Sequence, residues 1–395
     1  MSLNEKVSAE RLHIAFFGLR NAGKSSVVNK ITNQELSVVS DVKGTTTDPV
    51  KKAMELLPIG PVVIIDTAGI DDEGELGSLR VEKTRKILNK TDVAVLVVDA
   101  LKGKRQEDLN LIEDFKKRNI PYIVAFNKCD LIAEKQELKE NEIYVSAKEN
   151  ININELKELI GKLCDTEAEE KTLLGDIISV GDTVVLVTPI DSSAPKCRLI
   201  LPQQQTIREL LDIGATVVVT KDTELEETLQ KLKNPPRLVI TDSQAFKKVS
   251  AIVPKNIELT SFSILFARYK GELWGAVNGA DELDNLQDGD YVLISEGCTH
   301  HRQCGDIGTE KLPNWIKNYT NKNITFEFTS GGDFPEDLKK YKLIIHCGAC
   351  MLTEREMKSR IAISGEQQVP ISNYGIIIAK INGILERAVH SLRSF

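Results

Sequence analysis

The chain has 395 residues, of which 41% are hydrophobic, so it is long enough for two or three domains with separate cores. Its formal net charge of −7 argues against nucleic acid as a partner, because proteins that bind nucleic acid usually present a basic surface. The N-terminal segment is polar, and we find no apolar stretch that could span a bilayer. The sequence therefore predicts a cytoplasmic protein that binds no membrane, whose seven cysteines are thiols or metal ligands rather than disulfides.

Residues 12–164 alternate strand-like apolar runs with charged stretches of helical length. The apolar runs read HIAFFG, VVIIDTAG, VAVLVVDA, YIVAFNKCD and EIYVSA. Such alternation is typical of βαβ units, in which consecutive strands lie parallel in one sheet. We therefore predict a first α/β domain over residues 1–168, followed by a charged segment that leads to Gly175.

A phosphate-binding sequence follows the first of these strands. GLRNAGKSS, residues 18–26, has the P-loop spacing and leads into the helical run VVNKIT. Its glycines let the backbone wrap a phosphate, Lys24 adds a positive charge, and the Ser25 hydroxyl is a ligand for Mg²⁺. The later strand VVIIDTAG supplies Asp66, which we expect to bind Mg²⁺ through water, and Gly69, whose N–H can contact the γ-phosphate. The two motifs together predict a nucleoside triphosphate site.

The base-recognition residues come next in the chain. NKCD, residues 127–130, ends the strand YIVAF, and SAK, residues 146–148, follows the next strand. The Asp130 carboxylate offers two acceptors, which match the N1–H and N2–H₂ donors of guanine and mismatch adenine. The Ala147 N–H is expected to face guanine O6. The predicted ligand is therefore GTP with Mg²⁺.

These motifs resemble the translation-factor-like GTPases, and among them the TrmE and Era branch. The shared features are Asn21 within the P-loop and the sequence GTTTD at residues 44–48. The resemblance implies that Thr46 binds Mg²⁺ and that Asn21 helps to hold K⁺, which supplies the positive charge that other GTPases take from an arginine finger. It thus implies a potassium-stimulated GTPase. Ile70 follows DTAG where a water-orienting glutamine could stand, so Glu75 is a candidate for that role, unless the acidic loop around it is solvated surface.

The predicted residues of this site fall into two overlapping sets. Those expected to take part in hydrolysis are Lys24, Thr46, Asp66 and Gly69. Those expected to bind the nucleotide or its ions are Gly18, Asn21, Gly23, Lys24, Ser25, Ser26, Thr46, Asp66, Asn127, Lys128, Asp130, Ser146, Ala147 and Lys148.

The remainder of the chain contains two further α/β patterns. Residues 175–270 hold a second βαβ series, with the strand-like runs VVLVTPI, ATVVVT and RLVITD, and show no catalytic motif. Residues 271–395 again mix strands, such as YVLISEG and KLIIHCG, with helical runs. The predicted architecture is therefore a P-loop GTPase domain followed by two α/β domains with mainly parallel sheets.

Metal-ligand residues cluster in the last of these domains. Cys298 and His300 follow the strand YVLISEG, and HCGAC, residues 346–350, ends the strand KLII. Neighbouring strand ends can bring such residues to one metal centre. Three cysteines and one histidine would satisfy Zn²⁺, whereas the same three thiolates would also hold an iron–sulfur cluster with a weaker fourth ligand. The spacing leaves both possibilities open.

The combination of CxH, HCxxC and the GTPase motifs resembles HydF, the family of maturation GTPases of iron-iron hydrogenases, over the whole chain. The resemblance implies a central dimerisation domain and a 4Fe-4S cluster held by Cys298, Cys347 and Cys350. It also implies a homodimeric scaffold and carrier for the two-iron precursor of the hydrogenase active-site cluster. Radical-SAM maturation enzymes help to build that precursor, and the iron-iron hydrogenase apoprotein receives it.

The fourth cluster ligand is predicted among residues other than these three cysteines. Glu296 lies two residues before Cys298, so a strand would place both side chains on one face. His300 and His346 are the other candidates, and alternatively both histidines only form hydrogen bonds around the cluster. Cys304 lies in a loop with no partner spacing and is predicted to be a bystander. A carboxylate or imidazole would leave one exchangeable iron, as a carrier requires.

A competing function is a tRNA-modification or ribosome-assembly GTPase with a structural zinc site. The first domain would fit it equally well. Against it stand the acidic net charge and the lack of a basic C-terminal region or a GxxG stretch of the KH type.

Overall fold

A computed structural model describes the protein over most of its length. The described residues are 11–32, 49–56, 60–67, 84–134, 136–164, 172–190, 199–271, 273–297 and 306–393. The chain divides into two compact units, Met1–Glu169 and Glu170–Phe395. Within the described ranges, no helix is both long enough and apolar enough to cross a membrane.

The first unit is built on a six-stranded sheet. Its strands are β1 (Leu12–Phe17), β2 (Val50–Leu56), β3 (Gly60–Asp66), β4 (Val93–Asp99), β5 (Tyr122–Asn127) and β6 (Glu142–Tyr144). Its helices include α1 (Lys24–Thr32), α2 (Gln106–Lys117) and α3 (Ile153–Cys164), with a helical turn at 84–88 and a 3₁₀ turn at Cys129–Leu131. The strand order is β2-β3-β1-β4-β5-β6, in which β2 is antiparallel to β3 and the other described pairs are parallel.

Alternate residues of the central strands face opposite sides of this sheet. In β1, Ile14 and Phe16 join the core beneath α1 and α3, whereas Ala15 and Phe17 join the core beneath α2. Because both faces are covered, these parallel strands read as continuous apolar runs in the sequence. The carboxyl ends of the parallel strands therefore lie along one edge, from which the loops of the first candidate site emerge.

The edge strand β2 is the element of this sheet that the sequence did not predict. Its residues VKKAMEL alternate between exposed and half-buried positions, and only Leu56 is buried. Such a strand carries no continuous apolar run, and its place becomes evident only through its antiparallel pairing with β3.

The second unit contains two four-stranded sheets. The first has the order β10-β9-β7-β8, from β7 (Thr183–Val187), β8 (Thr216–Thr220), β9 (Leu238–Thr241) and β10 (Glu258–Ser261). The second has the order β12-β11-β13-β14, from β11 (Tyr291–Glu296), β12 (Thr325–Ser330), β13 (Tyr341–His346) and β14 (Ile371–Asn373). Every pairing in both sheets is parallel, which confirms the predicted α/β class with mainly parallel sheets.

Helices connect and cover these strands. They are α4 (Leu201–Ile213), α5 (Leu225–Lys231), α6 (Phe246–Ile252), α7 (Phe262–Lys270), α8 (Leu273–Gly279), α9 (Leu312–Thr320), α10 (Glu354–Glu366), α11 (Tyr374–Ile381) and α12 (Leu385–His390). Short helical turns lie at Ser243–Ala245, Ala280–Asn285 and Ile307–Lys311. Side-chain caps start three of the helices, with Ser261, Thr353 and Asn373 each accepting a backbone N–H three residues later.

The two sheets of the second unit share one hydrophobic core. Leu186 and Ile240 of the first sheet belong to the same buried cluster as Ile294 and Ile345 of the second. The predicted division of this part of the chain into residues 175–270 and 271–395 stays a prediction.

Candidate functional site

The P-loop lies between β1 and α1, and two of its positions require glycine. Gly18 has φ +141°, and a Cβ atom there would lie 2.2 Å from the carbonyl oxygen of Val97. Gly23 has φ +88°, and a Cβ atom there would lie 2.2 Å from the side-chain nitrogen of Asn127. The loop thus passes so close to β4 and β5 that a side chain at either position would displace backbone or a buried amide.

Lys24 and Ser25 begin α1 at the carboxyl edge of the sheet. Lys24 is buried, and its Nζ donates to the carbonyl oxygens of Gly18 (2.8 Å) and Leu19 (2.9 Å). The Ser25 hydroxyl donates to Asp66 Oδ2 at 2.7 Å. The structure therefore brings together a hydroxyl and a carboxylate, which are oxygen ligands that Mg²⁺ favours. The other residues predicted to act here, Thr46, Gly69 and Glu75, lie outside the described residues.

Asn127 links the P-loop to the loop that contains SAK. Its side chain is buried, its Nδ2 donates to the Ala22 carbonyl at 3.0 Å, and its Oδ1 accepts the Ala147 N–H at 3.1 Å. The Ala147 N–H, which we predicted to face guanine O6, thus donates to Asn127 in this structure. Asn127 therefore fixes the distance between the phosphate-binding and base-binding loops.

Lys128 forms a second link to the P-loop. Its Nζ donates to the Asn21 carbonyl at 2.8 Å and to Asp99 Oδ2 at 2.7 Å. Burial acts to raise the pKa of Asp99, but the bonds from Lys128 and the Leu101 N–H outweigh it, so the pKa lies below its usual value. Sequence reasoning missed Asp99, although it ends an apolar strand in the same way as Asp66 does.

The predicted guanine-binding carboxylate is held by a hydroxyl. Ser146 Oγ donates to Asp130 Oδ1 at 2.6 Å and accepts the Glu149 N–H at 3.1 Å. Asp130 is thereby oriented by the SAK loop, while the side chain of Lys148 in the same loop is 81% exposed. The remaining predicted residue, Ser26, lies in the first turn of α1.

The second candidate site lies at the carboxyl edge of the sheet β12-β11-β13-β14. Strand β11 ends at Glu296, and its neighbour β13 ends at His346, which Cys347 follows directly. Cys350 lies in the same loop as Cys347. The structure thus brings four of the predicted cluster residues to one edge. The others, Cys298 and His300, lie outside the described residues, as does Cys304.

Cys347 is surrounded by backbone donors. Its Sγ accepts the N–H groups of Gly297 (3.1 Å) and Ala349 (3.4 Å). Burial raises the pKa of the Cys347 thiol to about 11; the two N–H groups oppose this, and the nearby Cys350 and Glu296 add to it. Because metals bind the thiolate, a metal ion here would displace the thiol proton.

Glu296 is buried beside a tyrosine. Its carboxylate is 4% exposed, and the Tyr374 hydroxyl donates to Glu296 Oε1 at 3.2 Å. Burial, and then the charge of Glu296, raises the pKa of Tyr374 well above its usual value, so the phenol keeps its proton. A Cβ atom at Gly308 would lie 2.4 Å from Glu296 Oε1 and from the Tyr374 hydroxyl, so a larger residue there would have to displace one of these two groups.

His346 is fully buried, and both of its ring nitrogens form hydrogen bonds. Arg360 Nη1 lies 2.9 Å from Nε2, and Nδ1 lies 3.0 Å from the Cys347 carbonyl oxygen. Arginine only donates, so Nε2 accepts and Nδ1 carries the proton. Burial, and then the Arg360 charge, lowers the pKa of His346 to about 3. A metal ion could therefore bind Nε2 only by displacing Arg360.

Arg360 was not predicted from the sequence, yet it joins the ends of three strands. Besides His346 it donates to Ser295 Oγ (3.1 Å) and the Gly331 carbonyl (2.6 Å), and it pairs with Glu356 at 3.1 Å. The pair is buried and spaced i, i+4 on α10. An Arg–Glu pair at this spacing is common on exposed helices, so its buried role had no sequence signal.

The donor chemistry of this edge fits an iron–sulfur site. Among the described residues, no three His, Cys, Asp or Glu side chains form a group that could by itself hold a metal ion. Cys347, Cys350 and the buried Glu296 nevertheless lie at the same edge of the sheet, and backbone N–H groups face the Cys347 sulfur, as they do around cluster sulfurs. A third thiolate from Cys298, two residues after Glu296, would complete the set.

Comparison with protein families separates the second unit into two known segments. Residues 173–271 match the hydrogen maturase F dimerization domain, and residues 274–391 match the hydrogen maturase F tetramerization domain. Together these segments make up more than half of the chain. The chain belongs to the hydrogen maturase F family. Residues 13–128 match the 50S ribosome-binding GTPase family, so the first unit of this hydrogen maturase F protein is a GTP-hydrolysing domain.

Curated relatives resemble part of this hydrogen maturase F chain. The tRNA modification GTPase MnmE of Streptococcus agalactiae serotype III (strain NEM316) is 35% identical over 161 residues, which are 40% of this chain and 34% of that protein. The MnmE of Lactococcus lactis subsp. lactis (strain IL1403) is 33% identical over 177 residues, or 43% of this chain and 38% of that protein. The matches thus cover little more than a third of these relatives, and they support a TrmE-type G domain.

Solved structures also align with part of the chain. A variant of Aquifex aeolicus Era bound to GDP.AlF4- has 21% identity and a TM-score of 0.35, and covers 53% of this chain and 93% of that one. A probable GTP-binding protein engB has 25% identity and a TM-score of 0.33, and covers 39% of this chain and 100% of that one.

Proposed function

We propose that this protein is a GTP-hydrolysing scaffold and carrier that binds a 4Fe-4S cluster and assembles or delivers the two-iron precursor to apo iron-iron hydrogenase. The observation that carries the proposal is the union, in one chain, of a GTPase domain with both hydrogen maturase F segments. The position of Cys347, Cys350 and Glu296 at one edge of the same sheet supports it. Self-association fits the dimerization and tetramerization segments, and radical-SAM maturation enzymes and apo-hydrogenase are the proposed partners.

In the nucleotide site, each proposed role follows from the position of the side chain. The Lys24 ammonium, which here bonds two P-loop carbonyls, would bond phosphate oxygens of GTP. Ser25, Thr46 and Asp66 would hold Mg²⁺, and the Gly69 N–H would contact the γ-phosphate. The positive charge of lysine and Mg²⁺ would stabilise the charge that develops on the phosphate oxygens during hydrolysis.

Potassium stimulation is proposed at Asn21. This residue has φ +60°, and Lys128 holds its carbonyl, so the backbone that carries the amide is fixed. Hydrolysis should be faster in potassium than in sodium at equal ionic strength. Asn21→Gly should remove the difference, because glycine keeps the left-handed backbone and deletes the amide. Equal rates of the unaltered protein in both salts would contradict this part of the proposal.

The cluster would be held by Cys298, Cys347 and Cys350. Glu296 ranks first among the proposed fourth ligands, ahead of His300 and His346, because the carboxylate already lies at the strand edge beside Cys347. When bound, the cluster supplies thiolate-held iron with one exchangeable coordination position. The protein contributes buried walls, backbone N–H donors to sulfur, and the Tyr374 hydroxyl that orients the Glu296 carboxylate.

Anaerobic purification with assays for iron, sulfide and zinc tests the proposal. We expect the unaltered protein to contain iron and sulfide in equal amounts. Cys164→Ala, which removes a thiol from α3, is the control and should contain as much of both. Cys347→Ala and Cys350→Ala should lose both. Stoichiometric zinc without sulfide would contradict the scaffold and favour a tRNA-modification GTPase with a structural zinc site. The MnmE relatives are tRNA modification GTPases.

A further inference from the structure

A buried lysine contacts the loop that carries two of the proposed cluster thiolates. Lys270 ends α7 and is 3% exposed. Its Nζ donates to the carbonyl oxygens of Ala349 (3.3 Å), Cys350 (3.1 Å) and Leu352 (2.8 Å). An ammonium has three N–H donors, so one side chain fixes the orientation of three peptide groups in a short loop.

The geometry of the peptide group converts these bonds into an orientation of backbone N–H groups. In a trans peptide, the carbonyl and the N–H of the next residue point in opposite directions. Because Lys270 attracts the carbonyls of Ala349 and Cys350, the N–H groups of Cys350 and Met351 point away from the ammonium. Ala349 has φ +53°, a left-handed conformation that an alanine keeps only when its surroundings hold it.

The same loop also donates to sulfur, since the Ala349 N–H lies 3.4 Å from Cys347 Sγ. Burial raises the pKa of the Cys350 thiol, and the Lys270 charge opposes this. The loop thus turns two of its carbonyls towards a buried ammonium and one of its N–H groups towards a predicted cluster thiolate. Hydrogen bonds to sulfur are among the features that set the reduction potential of iron–sulfur clusters.

We propose that Lys270 is a positioning residue that holds the Ala349 and Cys350 carbonyls and so orders the Cys347–Cys350 loop, whose Ala349 N–H faces the Cys347 sulfur, and thereby raises the reduction potential of the cluster. Donors to sulfur stabilise the more negative, reduced state, so their loss makes reduction harder. The statement about potential rests on the proposed function, whereas the statement about the loop does not. Lys270 belongs to the dimerization segment and the loop to the tetramerization segment, so one segment would tune the site of the other.

The first measurement needs no cluster. Lys270→Met removes the ammonium and keeps an unbranched apolar side chain, one atom shorter, beside Phe266, whose ring centroid is 5.9 Å from Nζ. Amide hydrogen exchange of the full-length apo-protein should be at least about tenfold faster at Cys350 and Met351 in this variant, because the bonds that order the loop are gone. Lys248→Met, which removes an exposed lysine from α6, is the matched control and should leave both rates unchanged.

The second measurement is the reduction potential of the reconstituted protein, followed by the paramagnetic resonance of the reduced cluster. We expect a more negative potential in Lys270→Met, with unchanged iron and sulfide content, and the unaltered potential in Lys248→Met.

Unchanged exchange at Cys350 and Met351 overturns the role of Lys270 in the loop, and an unchanged potential overturns its effect on the cluster. If the unaltered protein binds no cluster, the proposed function fails and with it the effect on potential, while the exchange rates still decide the role in the loop. Should Lys270→Met not fold, Lys270→Gln takes its place: its amide can bond at most two of the three carbonyls, so faster exchange supports the proposal and unchanged exchange overturns it.

Discussion

The carboxylate proposed to bind guanine is held by a neighbouring hydroxyl. Asp130 Oδ1 accepts the Ser146 hydroxyl at 2.6 Å. Selectivity for guanine then depends on the type of side chain at this position, because a carboxylate only accepts hydrogen bonds.

Asp130→Asn should exchange a preference for GTP for a preference for XTP. The amide offers a donor to the O2 of xanthine, where guanine has an amino group, and the mismatch should weaken GTP binding by about 1–3 kcal/mol. Competition between the two nucleotides in equilibrium binding measures the effect. Glu149→Gln, which changes a half-exposed acid three residues after Ser146, should leave both affinities unchanged. Unaltered GTP affinity in Asp130→Asn would show that NKCD does not read the base.

The buried carboxyl of Asp108 should make the stability of the first unit depend on pH. Asp108 is buried near the start of α2, where it accepts the Arg105 N–H at 3.0 Å while its Oδ1 has no hydrogen-bond partner among the described residues. Burial raises the pKa of Asp108 above 3.8, and the Arg105 N–H offsets this only in part. A carboxyl with a raised folded-state pKa contributes stability at low pH, and that contribution is lost as the pH rises through the raised value.

From about pH 4 to about pH 7, the free energy of unfolding of the first unit should therefore decrease more in the unaltered protein than in Asp108→Asn, whose amide cannot ionise. Denaturant unfolding at both pH values measures the difference, and the transition that GTP shifts upward identifies the first unit. Glu113→Gln, at an exposed position of the same helix, should follow the unaltered protein. The same difference at both pH values would show that Asp108 keeps its ordinary pKa.

At the scale of elements, the P-loop is shaped by the strand behind it. Glycine at position 18 is required because the loop leaves β1 against β4, where a Cβ atom would meet the Val97 carbonyl. Gly103 offers a comparison, because it also has a positive φ, of +67°, but a Cβ atom there would meet nothing within 4 Å. An alanine at position 18 would therefore cause both a steric clash and backbone strain, whereas an alanine at position 103 would cause backbone strain alone.

Gly18→Ala should abolish measurable GTP binding and lower the stability of the first unit by more than about 3 kcal/mol, because rigid backbone must move. Gly103→Ala should cost only about 1–2 kcal/mol, the strain of a left-handed alanine, and should bind GTP normally. Thermal unfolding and nucleotide titration measure both effects. Equal costs for the two variants would mean that the P-loop can move away from β4.

At the scale of the whole molecule, the proposed nucleotide and cluster residues belong to different compact units. Each unit has its own buried cores, so removing a polar side chain from one should leave the packing of the other intact. Chemistry in the two units can therefore be disabled separately.

Cys347→Ala and Cys350→Ala should abolish cluster assembly and leave GTP hydrolysis within a few-fold of the unaltered rate. Lys24→Ala should do the reverse, because Lys24 belongs to the first unit, where it bonds the P-loop carbonyls and would bond the phosphate. Iron and sulfide content measured beside phosphate release tests both directions. Loss of both functions in any one variant would show that the two units depend on each other to fold.

Much of this protein could be predicted from the sequence because its motifs are short and continuous. Buried parallel strands read as apolar runs, and the P-loop and NKCD keep a fixed spacing to the strands before them. The fold class and the GTPase domain were predicted in this way, the hydrogen maturase F (HydF) family was predicted by resemblance, and all three are confirmed. The roles of the individual site residues, K⁺ and the iron–sulfur cluster stay predictions.

Only the tertiary structure decided which side chains hold these motifs in place. Asn127 bonds Ala22, 105 residues earlier, and Lys270 bonds the carbonyl of Leu352, 82 residues later. Such partners have no fixed spacing, because the fold and not the local backbone brings them together. A lone lysine at a helix end carries no sign of the loop it will meet. The chain's local chemistry could therefore be read from the sequence, but the contacts that orient the sulfur and the base-binding loop exist only once the sheets have packed.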